Sequence, residues 1–446
     1  MMKPIAAYLV GCILLFVSQA HATTYAYIPD SGTGTGGVTR IDTATDPPGF
    51  DTFDFTDDDA VRDPDPYGAA VAPNGLTIWV TLNGFDQVAR LTNGSFAGGG
   101  MVAVDLPEGS RPQGVAIDTQ GTYAYVANFG NNNVSKIDLG TYAVVGDAIA
   151  VGAGPRGIAA FYDEEADENR VYVANSDDNT LTVITDDFST ITKETITGVG
   201  GGPIGLALTP DGARLYVAAY NDDVVTVIRT SDNAVIDTIG VGDGPWGMAV
   251  GRDGYYAYVT NSLDNTVWVI TTDTGAIAAT FGTGAKPQGV AAPKYGDFAY
   301  AVNQDGNSIS RIDMGDNTVE EIGAGEIEEA TALGAFIGGA RPSAPSNLTA
   351  SETSSDTIEL TWIDNSSDEL GFKIERRTED EDAFIVIADV DADTTAFTDE
   401  ALDNSTTYVY RIRAYNEATE SNYSTQTSAE TDGEEFSWCF IGTLLQ

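Results

Sequence analysis

A proline, one variable residue and a glycine recur six times at intervals of 42 to 48 residues. The copies are Pro66-Tyr67-Gly68, Pro112-Gln113-Gly114, Pro155-Arg156-Gly157, Pro203-Ile204-Gly205, Pro245-Trp246-Gly247 and Pro287-Gln288-Gly289. Small or branched apolar residues follow each copy. A second apolar run comes next, as in Tyr125-Val126-Ala127-Asn128, then an Asn/Asp-rich turn and a third, alternating run. Alternation with period two marks strands. Pro73-Asn74-Gly75, Pro210-Asp211-Gly212 and Arg252-Asp253-Gly254 supply the positive-φ residues of tight hairpins. A repeat of this length, made of short strands without a helical period, cannot bury its faces alone. Arranged radially against its neighbours it forms one blade of a β-propeller.

In the third copy the spacing predicts strands over 114–117, 123–128 and 134–138, with 143–151 leading through the outermost one. Six openings are complete, and the ends of the repeat region supply a seventh blade. Residues 332–338 read as an innermost strand that has lost its proline, and Tyr25-Ala26-Tyr27-Ile28 as a second strand lacking the innermost one. Placing the late strand inside the early blade closes the ring and removes open edges. The expected organisation is a seven-bladed propeller over 23–340, a Pro-rich linker over 341–345, an immunoglobulin-like sandwich over 346–432 and a tail over 433–446.

Residues 1–22 read as a secretory signal peptide. Lys3 is the positive end, an apolar run follows, and Ala20-His21-Ala22 is the cleavage site. A competing lipoprotein box, Leu9-Val10-Gly11-Cys12, would cut inside the apolar run. The expected location is secreted: periplasmic, extracellular or at the cell surface. Removal of the leader takes the only histidine, His21, and leaves Cys439 as the remaining cysteine. Stability then rests on packing and sheet hydrogen bonds rather than disulfides. The formal charge of −46 repels nucleic acid and anionic membranes and favours cations. It also suits a secreted protein in salty water.

The repeats resemble the YVTN family of β-propeller repeats at Tyr125-Val126-Ala127-Asn128, Tyr172-Val173-Ala174-Asn175, Tyr216-Val217-Ala218-Ala219, Tyr258-Val259-Thr260-Asn261 and Tyr300-Ala301-Val302-Asn303. The second domain resembles a fibronectin type III module through Leu360-Thr361-Trp362, Gly371-Phe372-Lys373-Ile374-Glu375-Arg376 and the run from Tyr408 to Asn416, with Trp362 and Tyr408 expected in its core. Propellers of this kind include surface-layer proteins, lactonase-like enzymes and domains joined to haem or quinone enzymes, so the site must decide. Cys439-Phe440-Ile441-Gly442-Thr443 weakly resembles a C-terminal motif of some secreted bacterial proteins.

Once the leader is removed there is neither Cys-x-x-Cys-His nor any histidine, so haem ligation, a zinc site and a histidine-based nucleophile are not expected. Calcium remains open through oxygen ligands, with Asp57, Asp58, Asp59, Asp63 and Asp65 the candidate cluster. The repeated Asn/Asp turns, such as Asp177-Asp178-Asn179, are expected to hydrogen-bond their own backbone.

The loop leading into each innermost strand should lie at the channel mouth. The residues between Pro and Gly then ring it, Tyr67, Gln113, Arg156, Ile204, Trp246 and Gln288, together with those before Pro, Asp65, Arg111, Gly154, Gly202, Gly244 and Lys286. Arg111 and Arg156 belong to neighbouring blades and can converge, while Lys286 comes from the far side. A basic and aromatic ring in so acidic a chain suits an anionic or sugar-like group. The expected function is a non-catalytic binding platform with the fibronectin-type module as spacer or docking element, and its partner a protein or carbohydrate at the cell surface. Two alternatives stand beside it: a lactonase-type hydrolase or lyase working through carboxylates or a metal-bound water, and a structural envelope component.

Overall fold

The computed structural model describes residues 24–432 except 31–35, 43–48, 56–63, 97–99, 252–253, 293–297, 324–336, 340–341, 367–368, 416–419 and the single positions 74, 76, 165 and 382. The leader, the tail with Cys439, and Asp57, Asp58, Asp59 and Asp63 therefore lie outside the described residues. No helix among the described residues is long and apolar enough to cross a membrane.

Seven antiparallel sheets follow one another along the first part of the chain. The third, for example, runs Pro112–Ile117, Tyr123–Asn128 and Asn133–Asp138, from inside to outside. Its outermost strand is broken into Ala143–Val144 and Ile149–Ala150 around a left-handed Gly146, where a single run had been expected. The first sheet takes its innermost strand, Ile337–Gly339, from the far end of the region. Thr24 pairs with Gly339, Tyr25 with Gly338 and Ala26 with Ile337. The expected closure by a late strand is thus present at Ile337–Gly339, which begins inside the expected 332–338 and ends one residue beyond it, while 332–336 lie outside the described residues.

The core lies between blades rather than within them. Alternation sends successive side chains of one strand to opposite neighbours. Ala124 and Val126 pack with Ala70 and Trp79 of the second blade. Tyr125 and Ala127 pack with Val171 and Val173 of the fourth. Each later pair of blades shares a cluster in the same way. One cluster joins Tyr300 and Val302 of the seventh blade to Ala26 and Tyr27 of the first and Ile78 and Val80 of the second, which completes the ring.

The Asn that ends the Tyr-Val-Ala-Asn motif is buried and pins the start of the next strand. Asn128 Nδ2 donates to Asn133 Oδ1 at 2.7 Å and Ser135 Oγ at 2.8 Å. Asn175 does the same to Thr180 and Thr182, and Asn303 to Ser308 and Ser310.

The second domain is a sandwich of two sheets. Ser346–Ser354, Thr357–Ile363 and Ala396–Asp399 form one sheet. Ile385–Asp391, Gly371–Thr378, Thr407–Tyr415 and Thr427–Glu430 form the other. Trp362 packs edge-on against Phe372 at 5.7 Å, and Tyr408 lies in the same cluster. The Tyr408 hydroxyl accepts the Asp403 N–H at 3.0 Å, the corner contact of immunoglobulin-like folds.

Candidate functional site

The Pro-x-Gly motif is a β-bulge. In all six copies the pairing of the innermost strand with its neighbour slips between the proline and the residue after glycine. Three residues then span what two span on the partner strand, which bends the chain and re-aims the middle side chain. The glycine is required by a close approach. A Cβ on Gly114 would stand 2.3 Å from the Arg156 carbonyl oxygen, and one on Gly157 would stand 1.8 Å from that of Ile204. Thr81 Oγ1 accepts the Gly68 N–H at 2.8 Å and donates to the Gln113 carbonyl at 2.7 Å, so one hydroxyl ties a bulge to the next blade. Thr260 repeats this with Gly247 and Gln288.

The residue before each proline has a left-handed backbone: Asp65 (φ 43°), Arg111 (45°), Gly154 (64°), Gly202 (61°), Gly244 (65°) and Lys286 (54°). Glycine takes this conformation freely, whereas other residues pay about 1 kcal/mol for it. Three blades thus hold a charged side chain where glycine would be easier. The backbone is latched from the preceding blade. Gly154 N–H donates to Asn132 Oδ1 at 3.0 Å, Gly202 to Asn179 at 2.7 Å, Gly244 to Asp223 at 2.9 Å and Lys286 to Asn265 at 2.7 Å. Arg111 N–H donates to Asp86 Oδ1 at 2.7 Å. This corrects the expectation that these turn side chains serve their own backbone. Their acceptors bind the loop of the following blade, a contact between blades that one repeat cannot reveal.

The bulge side chains form two groups at the mouth. On one side Arg156 Nη1 donates to the buried Gln113 Oε1 at 3.1 Å. Arg156 and Arg111 both approach the Phe129 ring, at 4.7 and 5.7 Å. Burial pushes the Tyr67 phenol up, and the nearby Arg156 guanidinium pulls it the other way. Among the described residues neither Arg111 nor Arg156 forms an ion pair. On the other side Trp246 meets Tyr220 edge-on at 5.5 Å, and its buried Nε1 has no hydrogen-bond partner. Gln288, also buried, donates to Gln304 at 2.6 Å. Lys286 stands apart from both groups, in an exposed pair with Asp305 at 3.4 Å.

Phe129, Tyr220 and Gln304 escaped the reading of the sequence. Each directly follows the four-residue apolar motif, so the same 42–48-residue period carried the signal. Of the expected calcium cluster only Asp65 is described, and its carbonyl accepts the Asn83 N–H at 3.0 Å.

Below the mouth the channel narrows to a cavity of about 10 Å³ lined by Gly114, Gly157, Gly205, Gly247 and Gly289. Beyond this waist it widens to about 260 Å³ between Val71, Ile117, Ala160, Leu208 and Val250, all apolar. Past Ala160 and Leu208 this space adjoins a larger cleft lined by polar residues, among them Thr119, Asp163, Glu164, Arg170 and Asp211, so polar groups stand on both sides of the apolar stretch.

Residues 343–430 match the family model for the fibronectin type III domain, and residues 56–238 match that described as lactonase, 7-bladed beta-propeller. No curated protein matches the sequence. Among solved structures, virginiamycin B lyase from Staphylococcus aureus is similar, with a TM-score of 0.51 and 18% identity over 66% of this chain and 90% of that one. A protein of unknown function from Desulfotomaculum acetoxidans DSM 771 has a TM-score of 0.55 and 15% identity, covering 71% of this chain and 98% of that one. At these identities the likeness is one of fold. The chain is a β-propeller protein in which a fibronectin type III domain follows the propeller.

Proposed function

We propose that the bulge face of the propeller is a recognition site for a small anionic group, a sugar acid being the best fit, held without turnover. The observation that carries this reading is Arg156, which lies at the mouth beside Gln113, Tyr67 and Phe129 and has no acidic partner among the described residues. A guanidinium offers a carboxylate two parallel donors. Tyr67 and Trp246, both half-buried, add flat faces for a sugar ring. The described residues contain no histidine to move protons, which favours binding over hydrolysis or elimination. In this reading the chain is exported through residues 1–22, and the fibronectin type III domain spaces or docks the propeller at a cell surface.

The test is a panel of sugar acids, with neutral sugars as their counterparts, titrated at fixed ionic strength. Each is then incubated with the protein and followed for product. Saturable binding of acids with unchanged ligand recovered supports the reading. Conversion of a lactone or ester by the protein, lost in Arg156→Ala, would replace it with the lactonase-type alternative.

A further inference from the structure

The end of the sandwich where Thr357–Ile363 hands over to Gly371–Thr378 gathers three carboxylates. Asp364 leaves the first of these strands, and Glu369 precedes the second. Asp393 sits in the turn after Ile385–Asp391, with a left-handed φ of 59°. Gly371 pairs with Asp391, which brings that turn beside Glu369. One carboxylate oxygen from each residue lies within 4.8 Å of the others.

Glu369 is the telling member. It is only 8% exposed, and its Oε2 is sealed from solvent with no hydrogen-bond partner. Its other oxygen accepts the Asp393 N–H at 3.3 Å, which holds the side chain in the cluster. Asp364 accepts the Ser366 N–H at 2.9 Å. No Lys or Arg pairs with any of the three among the described residues. A buried carboxylate oxygen without a donor beside two more carboxylates is costly unless a cation or a proton joins them.

We propose that Asp364, Glu369 and Asp393 bind a divalent cation, with calcium preferred, at this end of the fibronectin type III domain. The ligand set is all oxygen, which selects hard ions over zinc or copper. The three groups come from two loops of irregular geometry. Calcium tolerates such an arrangement, whereas magnesium demands a near-ideal octahedron. The site is distinct from the aspartates of 57–65 and does not depend on the reading of the propeller mouth.

The experiment is calorimetric titration of the full chain with CaCl₂ and with MgCl₂ at constant ionic strength, on the wild type, Glu369→Gln and Asp393→Asn. Asp393 is exposed, so its variant keeps the fold even if Glu369→Gln does not. The expected result is calcium binding with a dissociation constant on the order of 10⁻⁴–10⁻³ M, as in extracellular modules. Each variant weakens it about tenfold or more. Absence of calcium binding to the wild type, or isotherms of the variants that superimpose on it, would overturn the proposal. Equal affinity for magnesium would overturn the calcium preference.

Discussion

Arg156 Nη1 donates to Gln113 Oε1 at 3.1 Å, joining the bulges of two neighbouring blades at the channel mouth. Gln113 is buried, so this contact fixes the orientation of a guanidinium that remains partly open to solvent. The same backbone makes a close contact between blades, since the Arg156 carbonyl faces Gly114. The residues that hold the ring together thus also aim the side chains of the candidate site.

The latch between blades is testable at Asn132. Its Oδ1 accepts the Gly154 N–H, and its own φ is 52°. Asn132→Ala loses the bond and strains the backbone, and should cost about 2–3 kcal/mol. Asn132→Gly relieves the strain alone and should cost about 1 kcal/mol. Asn132→Asp, the choice seen in Asp86 and Asp223, should be tolerated. Thermal melts order the three variants, and equal midpoints for alanine and wild type would contradict the latch.

Gly157→Ala places a Cβ 1.8 Å from a backbone oxygen of the next blade. The two blades must separate, so the expected loss exceeds about 3 kcal/mol and soluble yield should collapse. Gly240→Ala is the matched control, because nothing lies within 4 Å of its added Cβ. Similar expression and melting of the two variants would refute the close-packed glycine ring.

Arg111 occupies a left-handed position that glycine fills in three other blades. Arg111→Gly should leave stability unchanged or raise it by up to about 1 kcal/mol, because relieved strain offsets the lost contact with Phe129. Sugar-acid binding should weaken at the same time. A clear loss of stability would mean that Arg111 is there for the fold.

Burial raises several tyrosines that pack between blades or in the sandwich. Tyr172 and Tyr423 are each pushed up to about 12, and Tyr27, Tyr125 and Tyr410 are also held above the ordinary phenol range by burial. Above pH ~10 the unfolded chain releases these protons while the folded chain keeps them. Stability is therefore complete below that pH and falls as pH rises through the folded values, by about 1.4 kcal/mol per unit for each such group. Tyrosine absorbance at alkaline pH should rise together with loss of sheet circular dichroism. Ionisation of all tyrosines near pH 10 with the fold intact would contradict this.

Local pattern made the architecture legible. Alternation placed Tyr123–Asn128, and Asn-Gly and Asp-Gly placed the hairpins, because each depends on neighbours in sequence. The missing inner strand of the first blade could be inferred because a ring without it has two open edges. What stayed hidden depends on contacts between blades. The bulge at Pro-x-Gly, the latch from Asn132 to Gly154 and the Phe129 ring under two guanidiniums all join residues of different repeats, or slip a register that spacing alone does not show. The Glu369 cluster was missed for the same reason, since Asp393 reaches it only through the fold of the sandwich.

The most direct test of the recognition site is calorimetric titration of glucuronate, with glucose as the neutral counterpart, into the wild type, Arg156→Ala and Arg229→Ala at matched ionic strength. Arg229 pairs with Asp232 at 2.8 Å on the exposed surface and serves as the charge-matched control. The account predicts that the wild type and Arg229→Ala bind glucuronate alike. It predicts that Arg156→Ala weakens binding about tenfold or more while costing only about 1 kcal/mol of stability, the loss of its bond to Gln113. Glucuronate binding that is unchanged in Arg156→Ala, or lost equally in both variants, would contradict it.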